Sequence, residues 1–285
     1  MTQKVWLITG CSTGFGRELT KIATQKGDLV VGTLRKAEQI ADFEALAPGK
    51  IKAVLMDVTN PEQVKKGVAE AIEWQNRIDV LVNNAGYGVL GSVEEVTEEA
   101  MHQQFDVNVY GSVRLIKAVM PYMRKQRSGH VLNITSIAGL NGFPGVGIYN
   151  GSKFALEGIG EALAAETAHL GIKVTNIEPG PFRTDWAGRS ATKFYSEIED
   201  YKTSAGKNVE AISGVSGKQA GDPIKAANAM YEVTTLEKPP LHLPLGFRAY
   251  DRARYKFNNF LKEMDEFESL GLPTDYTEEE LKKMG

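Results

Sequence analysis

The sequence predicts an α/β protein, a doubly wound parallel sheet of about seven strands with helices on both faces. Three observations predict it. Short β-branched runs alternate with helix-length amphipathic stretches, the pattern of parallel strands joined by crossover helices. Several of those runs are apolar almost throughout, as strands become when both faces are covered. Glycines at 10, 14 and 16 end the first run in "TGCSTGFG", where such a chain turns from strand into helix.

The strand runs follow in order as "VWLIT", "LVVGTL", "IKAVLMD", "IDVLVNN", "HVLNITS" and "IKVTNIEP", each separated from the next by a stretch long enough for a helix. The first helix is expected from around Arg17. A long helix spans about 99 to 127 and another about 150 to 169. Regularity stops after Pro181, and residues 183 to 221 read as a loop or a mobile substrate lid. The pattern resumes in "DPIKAANAMYEV", with Asp222 as N-cap and Pro223 at the first helical position. A last strand is expected in "LHLPLG". From 247 to 285 the chain reads as a charged helical extension whose "TEEELKKMG" offers a threonine cap, acids first and lysines last. No composition shift marks a second domain, so residues 1–285 are read as one.

Charge and cysteine content exclude several classes. A net charge of −3 with both signs interspersed leaves no footprint for nucleic acid or an anionic membrane. No apolar run approaches the ~20 residues of a bilayer span. The single Cys11 cannot form an intrachain disulfide, and no basic, apolar leader precedes "KVWLITG"; a cytoplasmic location is the expectation. The four histidines show no metal-ligand spacing, and no metal is expected.

The glycine loop offers close backbone approach and an open helix N-terminus, which suits a diphosphate. Its spacing is GxxxGxG, and no Lys-Ser or Lys-Thr follows, so it is not a P-loop. The second strand ends in Arg35 and Lys36 where an acid would hold the 2′-hydroxyl of NAD, so Arg35 favours the 2′-phosphate of NADP. The alternative is a solvent-facing Arg35, with Glu38 or a water on the ribose. Asp57, with Val58, either holds an adenine amino group or caps the helix at Pro61, for which Asn60 is better placed. "NNAGYG" either lets a flat cofactor approach at Asn84, Ala85 and Gly86 or ties neighbouring loops together through its asparagines. Tyr149 and Lys153, four apart at a helix start, share a face. Gly10, Asn83 to Gly86, Ser136 and Pro179 to Thr184 all fall at carboxyl ends of strands, where open α/β sheets bind ligands.

Taken together and in order, "TGCSTGFG", "DVT" at Asp57, "NNAG", Asn108 in "FDVNVYG", Ser136, "YNGSK" and "PGPFRT" resemble the short-chain dehydrogenase/reductase family over about residues 4 to 245. "TLR" after the second strand and "PPLHLPLG" bring it nearest to the hydroxysteroid and retinol dehydrogenase-like branch. Phe15 departs from the family's usual Ile, and Asn150-Gly151 from residues such as Ala; neither removes a reacting group. The resemblance implies a Rossmann-like fold and a catalytic set of Ser136, Tyr149, Lys153 and Asn108. Tyr149 would be the general acid/base, its phenol made a usable donor by the Lys153 ammonium. Ser136 would steady the substrate oxygen, Lys153 grip the nicotinamide ribose, and Asn108 hold a water behind Lys153. Cofactor contacts are expected from Gly10, Ser12, Thr13, Gly14, Phe15, Gly16, Arg35, Asp57, Val58, Asn84, Ala85, Gly86, Tyr149, Lys153, Pro179, Gly180, Phe182 and Thr184. NADP(H) is the preferred cofactor, with NAD(H) also accepted.

The expected substrate wall includes Val89, Leu90, Leu140, Phe143, Val146, Trp186, Phe194 and Tyr195, mostly apolar, which suits a hydrophobic ketone or secondary alcohol. Arg183 and Arg189 keep open an anionic group or a carrier-linked 3-oxoacyl thioester. A non-catalytic, dinucleotide-binding redox sensor is the alternative outside enzymology. A nucleotide-sugar epimerase would need GxxGxxG and a longer chain. In the family the two long helices form subunit interfaces, so a homodimer or homotetramer is expected. The tail either covers a surface that shorter relatives use for tetramers or is a solvated terminal helix.

Overall fold

The computed structural model describes residues 3–188 and 190–284. Seven strands form one parallel sheet: β1 (Val5–Ile8), β2 (Leu29–Leu34), β3 (Ile51–Leu55), β4 (Val80–Asn83), β6 (Gly129–Ile134), β7 (Ile172–Pro179) and β9 (His242–Leu245), in the order β3-β2-β1-β4-β6-β7-β9. Two short strands stand apart, β5 (Gly88–Leu90) pairing in parallel with β8 (Ala191–Lys193). β1 pairs with β2 on one side and β4 on the other, so the chain reverses its direction of travel there and opens a crevice at the strands' carboxyl ends.

Alternation along each strand feeds two cores. Trp6 and Ile8 pack with Leu19, Ile22 and Met230 under α1 (Gly14–Gln25), α2 (Ile40–Glu44) and α8 (Pro223–Val233). Leu7, between them, packs on the opposite face with Val68, Leu115 and Val119 under α3 (Pro61–Gln75), α5 (Gly111–Gln126) and α6 (Gly147–Thr167). This is the doubly wound sheet that the apolar runs predict.

Capping residues stand where the sequence places them. Asn60 Oδ1 accepts from the Glu62 and Gln63 amides at the start of α3, and Asp222 Oδ1 from Ile224 and Lys225 at α8. α1 begins at Gly14, three residues before its expected start, because Gly14 and Phe15 already have helical hydrogen bonding. α4 (Glu98–Phe105) and α5 are joined without a break by a π turn, Asp106–Tyr110, that carries Asn108. α6 spans Gly147–Thr167, where about 150 to 169 was expected.

Residues 183 to 221 are not the featureless loop that the sequence suggests. They hold β8, a 3₁₀ turn at Asp185–Ala187, a π turn at Lys202–Gly206 and α7 (Lys207–Gly214). These elements are too short for periodicity to register, and β8 exists only because β5 is there to pair with it. Arg189 lies outside the described residues. The C-terminal stretch is helical as expected: α9 (Phe247–Gly271) and α10 (Glu278–Met284), the latter entered through a reciprocal box in which Thr277 and Glu280 bond each other's amides. Among the described residues, no helix is long and apolar enough to cross a membrane.

Candidate active site

The crevice is floored by the β1–α1 glycine loop. Gly10 and Gly14 have φ of +69° and +60°, the left-handed region that side chains disfavour. At Gly16 a Cβ would sit 2.7 Å from both the Gly10 carbonyl oxygen and Asn84 Nδ2, so a side chain there would force the loop off β4. Thr13, the N-cap of α1, makes no side-chain cap bond, and the first turn carries no acid. The helix therefore presents its free N–H groups and the positive end of its dipole to the crevice, as an anionic diphosphate requires. Ser12 and Thr13 lie within this turn. Asn84 donates from Nδ2 to the Thr9 and Gly10 carbonyls at 2.7 and 3.1 Å, and the Ala85 amide bonds Thr9 Oγ1 at 2.9 Å. Of the two sequence readings of "NNAGYG", the loop-tying one is thus realised, and it leaves the backbone at Ala85 and Gly86 beside the crevice.

Around this floor the other expected cofactor residues take distinct positions. Arg35 is exposed at the end of β2 and makes no ion pair with any described residue. Asp57 does not cap α3. Its Oδ1 accepts from the Thr59 amide and hydroxyl at 2.9 and 2.7 Å, which fixes the carboxylate in a turn at the end of β3. Val58 is buried, and its carbonyl accepts from Arg114. Phe15 and Phe182 meet edge to face at 5.4 Å, and Thr184 lies beside Gly14, so the Pro179–Thr184 segment closes one side of the loop. Gly180 is held by a backbone bond to Leu245.

Three elements bring Ser136, Tyr149, Lys153 and Asn108 together. β6 ends at Ile134, and Ser136 follows with its Oγ accepting from the Ala138 amide at 3.0 Å. The first turns of α6 carry Tyr149 and Lys153, both buried. Lys153 Nζ donates to the Ile134 carbonyl at 2.8 Å and stands 5.7 Å from the centre of the Tyr149 ring. Ser136 acts on the Tyr149 hydroxyl and favours its ionised form. Asn108 clamps the Tyr87 backbone, accepting from its amide at 3.1 Å and donating to its carbonyl at 3.0 Å, with a further bond to Ser152. A Cβ on Gly86 would fall 3.1 Å from Asn108 Oδ1 and 3.7 Å from Lys153 Nζ, so the absence of a side chain there is what lets these groups converge.

The protonation of this set is governed first by burial. Desolvation pushes the Tyr149 phenol up to about 12, with Ser136 acting against it. Desolvation likewise brings Lys153 down to about 8, while the negative charge of Glu157 holds it up. The sequence expectation that Lys153 lowers the tyrosine is therefore opposed here by the greater cost of burying a phenolate. At neutral pH the pair stands as phenol and ammonium, the state that can donate a proton.

The lid segment covers the tyrosine. Trp186 packs against Tyr149 with ring centroids 4.8 Å apart. Leu90, Ala138, Val146 and Val209 complete this apolar cluster, with Phe143 and Ile212 at its edge. Val89, next to Leu90 in β5, is absent from the cluster, since strand alternation turns it the other way; its amide bonds Gln104. Leu140 packs with Phe143 against Ala249 and Ala253 of α9, and Phe194 lies over Gly91. Tyr195 is 59% exposed and contributes little wall. Arg183 Nε donates to the Gln219 carbonyl at 3.2 Å. The segment is fastened by Glu95, whose carboxylate accepts from Ser92, Ser196 and the Glu197 and Ile198 amides. The open depression of about 520 Å³ between Ala41 and Trp74 lies away from all of these groups.

Sequence reasoning missed a second polar centre behind the first. Glu157, four residues beyond Lys153 on the same face of α6, lies 3% exposed beside the fully buried Glu178 of β7. His242 of β9 joins them, its Nδ1 at 2.8 Å from Glu178 and 3.5 Å from Glu157. The three donor groups fall within 4.8 Å of one another, and the imidazolium of His242 faces both carboxylates. A chain of side-chain amides leads to this centre across three strands: Asn83 donates to Asn133 at 2.9 Å, Asn133 to Asn176 at 3.0 Å, and Asn176 to Glu157 at 2.6 Å. A glutamate inside the apolar run "VTNIEP" was the available signal, since a charge in a covered strand demands a partner.

Comparison with known proteins decides the family. The family described as "short chain dehydrogenase" matches residues 4–193. The chain belongs to that short-chain dehydrogenase family. It is similar to a short-chain dehydrogenase of known structure from Streptomyces avermitilis, with a TM-score of 0.90 and 39% identity over 96% of this chain and 99% of that one. Another relative of this short-chain dehydrogenase is the 3-ketodihydrosphingosine reductase of Bacteroides thetaiotaomicron, 37% identical over 86% of this chain and 89% of the relative. The structure of ElxO with NADP bound is similar at a TM-score of 0.70 and 26% identity, covering 85% of this chain and 97% of that one. The chain is accordingly an oxidoreductase of the short-chain dehydrogenase family with a Rossmann-like fold.

Proposed function

We propose that this protein interconverts a hydrophobic ketone and its secondary alcohol with NADP(H) as cofactor. The observation that carries the proposal is the convergence of half-buried Ser136 with buried Tyr149 and Lys153 beneath an apolar cover, at the carboxyl edge of the sheet and beside a capless helix N-terminus. The glycine loop and α1 suit a diphosphate, Asp57 an adenine amino group, and the exposed Arg35 the 2′-phosphate. NAD(H) remains acceptable to a site in which Arg35 is exposed. When bound, a reduced nicotinamide supplies the hydride.

The protein's own groups manage the proton. In reduction, Tyr149 Oη donates its proton to the carbonyl oxygen, and Ser136 Oγ hydrogen-bonds that oxygen as negative charge builds on it. Lys153, still an ammonium at neutral pH, offsets the charge of the phenolate that remains. Asn108 rigidifies the Tyr87 turn and retains a lone pair on Oδ1 for a water behind Lys153. In the alcohol-oxidising direction the same atoms run in reverse, with Tyr149 as base. Trp186, Leu90, Val146 and Phe143 exclude water and favour an apolar substrate body.

The relative named as a 3-ketodihydrosphingosine reductase supports a β-keto substrate with a long apolar chain, and a 3-oxoacyl thioester is the second reading. A redox sensor would have no use for a buried tyrosine and lysine one turn apart beside a serine. The test is NADPH oxidation, with NADH in parallel, against aryl, steroid, β-keto ester and long-chain 3-keto amine substrates. Turnover preferring NADPH is expected, and cofactor binding without turnover on any ketone overturns the proposal. Tyr149→Phe is expected to lower turnover by about 10²–10⁴-fold, as loss of a general acid does, while leaving NADPH binding nearly intact; wild-type turnover in that variant would remove Tyr149 from the mechanism.

A further inference from the structure

α9 is the feature that the site does not absorb. It runs for 25 residues, about 37 Å at ~1.5 Å per residue, yet only Ala249 and Ala253 are buried against the body. Beyond them the helix carries an apolar seam: Phe257, Phe260, Met264 and Phe267 recur at alternate steps of three and four, flanked by Leu261 and Leu270, and each of the six is at least 50% exposed. That spacing is the seam of paired helices, not of a helix meant for solvent.

The charges on the same helix select the occupant. Up to Asn259 the helix carries Arg248, Arg252, Arg254 and Lys256 against the single acid Asp251; beyond it stand Glu263, Asp265, Glu266 and Glu268 against the single base Lys262. The two halves are opposite in net charge on either side of the Asn258–Asn259 pair. No side chain of α9 makes an ion pair with any described residue; Arg254 and Lys256 instead lie over their own helix's Tyr250 and Phe260 rings, at 5.8 and 5.9 Å. A helix with five bases and five acids has no net attraction for an anionic membrane, and its acidic half would be repelled by one. The same helix reversed is its own electrostatic complement.

We propose that α9 is a self-association surface, and that its occupant is the α9 of a second copy of this chain, packed antiparallel about a two-fold axis near Asn258–Asn259. Phe257 of each copy then faces Phe260 of the other, and Phe267 faces Tyr250. Arg252 and Arg254 of each copy stand opposite Asp265 and Glu263 of the other, as an isologous contact demands. Parallel pairing would set like charges against like. Because Leu140 and Phe143 pack on the root of α9, and Asn141 Nδ2 donates to the Arg252 carbonyl at 2.7 Å, the contact is built beside the loop that borders Tyr149. The proposal does not depend on which reaction the site performs.

The test uses the full chain and two charge-reversed variants, one with Arg252→Glu, Arg254→Glu and Lys256→Glu, the other with Glu263→Lys, Asp265→Lys and Glu266→Lys. All six positions are on the exposed helix, and circular dichroism checks that each variant folds. By sedimentation, each variant alone is expected at half the wild-type mass, and an equimolar mixture is expected to recover it. Oxidation of Asn259→Cys should crosslink the copies, whereas Phe267→Cys should crosslink only when mixed with Tyr250→Cys. A monomeric wild-type chain, wild-type mass in both variants, or a mixture that stays at half mass would overturn the proposal. So would flotation of the wild-type chain with phosphatidylcholine/phosphatidylserine vesicles that Phe257→Asp abolishes, since that outcome assigns the seam to lipid.

Discussion

At the scale of single residues, the site is an arrangement for holding protons in a dry place. Burial keeps Tyr149 a phenol, at about 12 against the pull of Ser136, and weakens Lys153 as an ammonium, to about 8 even with Glu157 holding it up. What keeps Lys153 charged is Glu157, one turn further on. Glu157→Gln removes that support, so the lysine loses its proton at lower pH. The alkaline limb of the kcat profile in the reducing direction should move to lower pH; an unmoved limb would show that Glu157 serves packing only. Arg35 belongs to the same scale. A guanidinium with no acid partner gains a charge-assisted bond of about 1.5–3 kcal/mol from a phosphate. Arg35→Ala should accordingly raise the Kd for NADPH by about tenfold or more and leave NADH nearly unchanged, a difference that titration calorimetry reads directly; equal losses would remove the phosphate role. Tyr149 and Lys153 were legible from spacing, because i and i+4 on a helix is a local rule, and Ser136 from its place at the carboxyl end of a strand run. Glu157 obeys the same rule, but what makes it matter is the neighbouring strand that buries it.

Elements differ in how much of themselves the sequence shows. The β1–α1 glycine loop is fully legible, because positive φ at Gly10 and Gly14 and the close approach at Gly16 are demands only glycine meets. The segment at 183 to 221 is the opposite case. Its strand pairs with a three-residue strand over a hundred positions away, and Glu95 ties it down across a similar distance. Four hydrogen bonds to the charged form hold the Glu95 carboxyl down at about 2, led by the bond from Ser92. A depressed carboxyl contributes stability that is present in full above its unfolded pKa near 4.5 and is lost as pH falls toward 2. Glu95→Ala should free the segment at neutral pH. Faster amide exchange over residues 190–200 than in the wild type, and a raised KM for an apolar ketone, are the expected readings. Unchanged exchange would show that β5–β8 pairing and Trp186 alone hold the lid.

For the whole molecule, the centre at Glu157, Glu178 and His242 joins α6 to the last two strands of the sheet. Glu157, and then Glu178, raise His242 to about 9, with Glu161 also facing the ring at 3.7 Å. A histidine raised in the folded state contributes stability that is complete below its unfolded pKa near 6.5 and is lost as pH climbs through about 9. Glu178 is raised to about 7 by its burial and by Glu157, so its contribution is likewise lost with rising pH, across 4.5 to 7. Both shifts act in one direction, and Tm should decline from mildly acid to alkaline pH. His242→Gln should lower Tm at pH 6 and flatten the decline between 6.5 and 9; parallel curves for wild type and variant would exclude the histidine as its source.

The sequence by itself determined the sheet, its two faces, the glycine loop, the caps at Asn60 and Asp222 and the spacing of Tyr149 and Lys153, because each rests on periodicity or on local backbone chemistry. Tertiary structure alone decided that Val89 turns away while Leu90 faces Tyr149, that Asn84 ties loops together, that Trp186 covers the tyrosine and that Asn176 and His242 meet Glu157. These are contacts between residues far apart in the chain, whose cost when buried and unpaired is settled only by what the fold brings beside them.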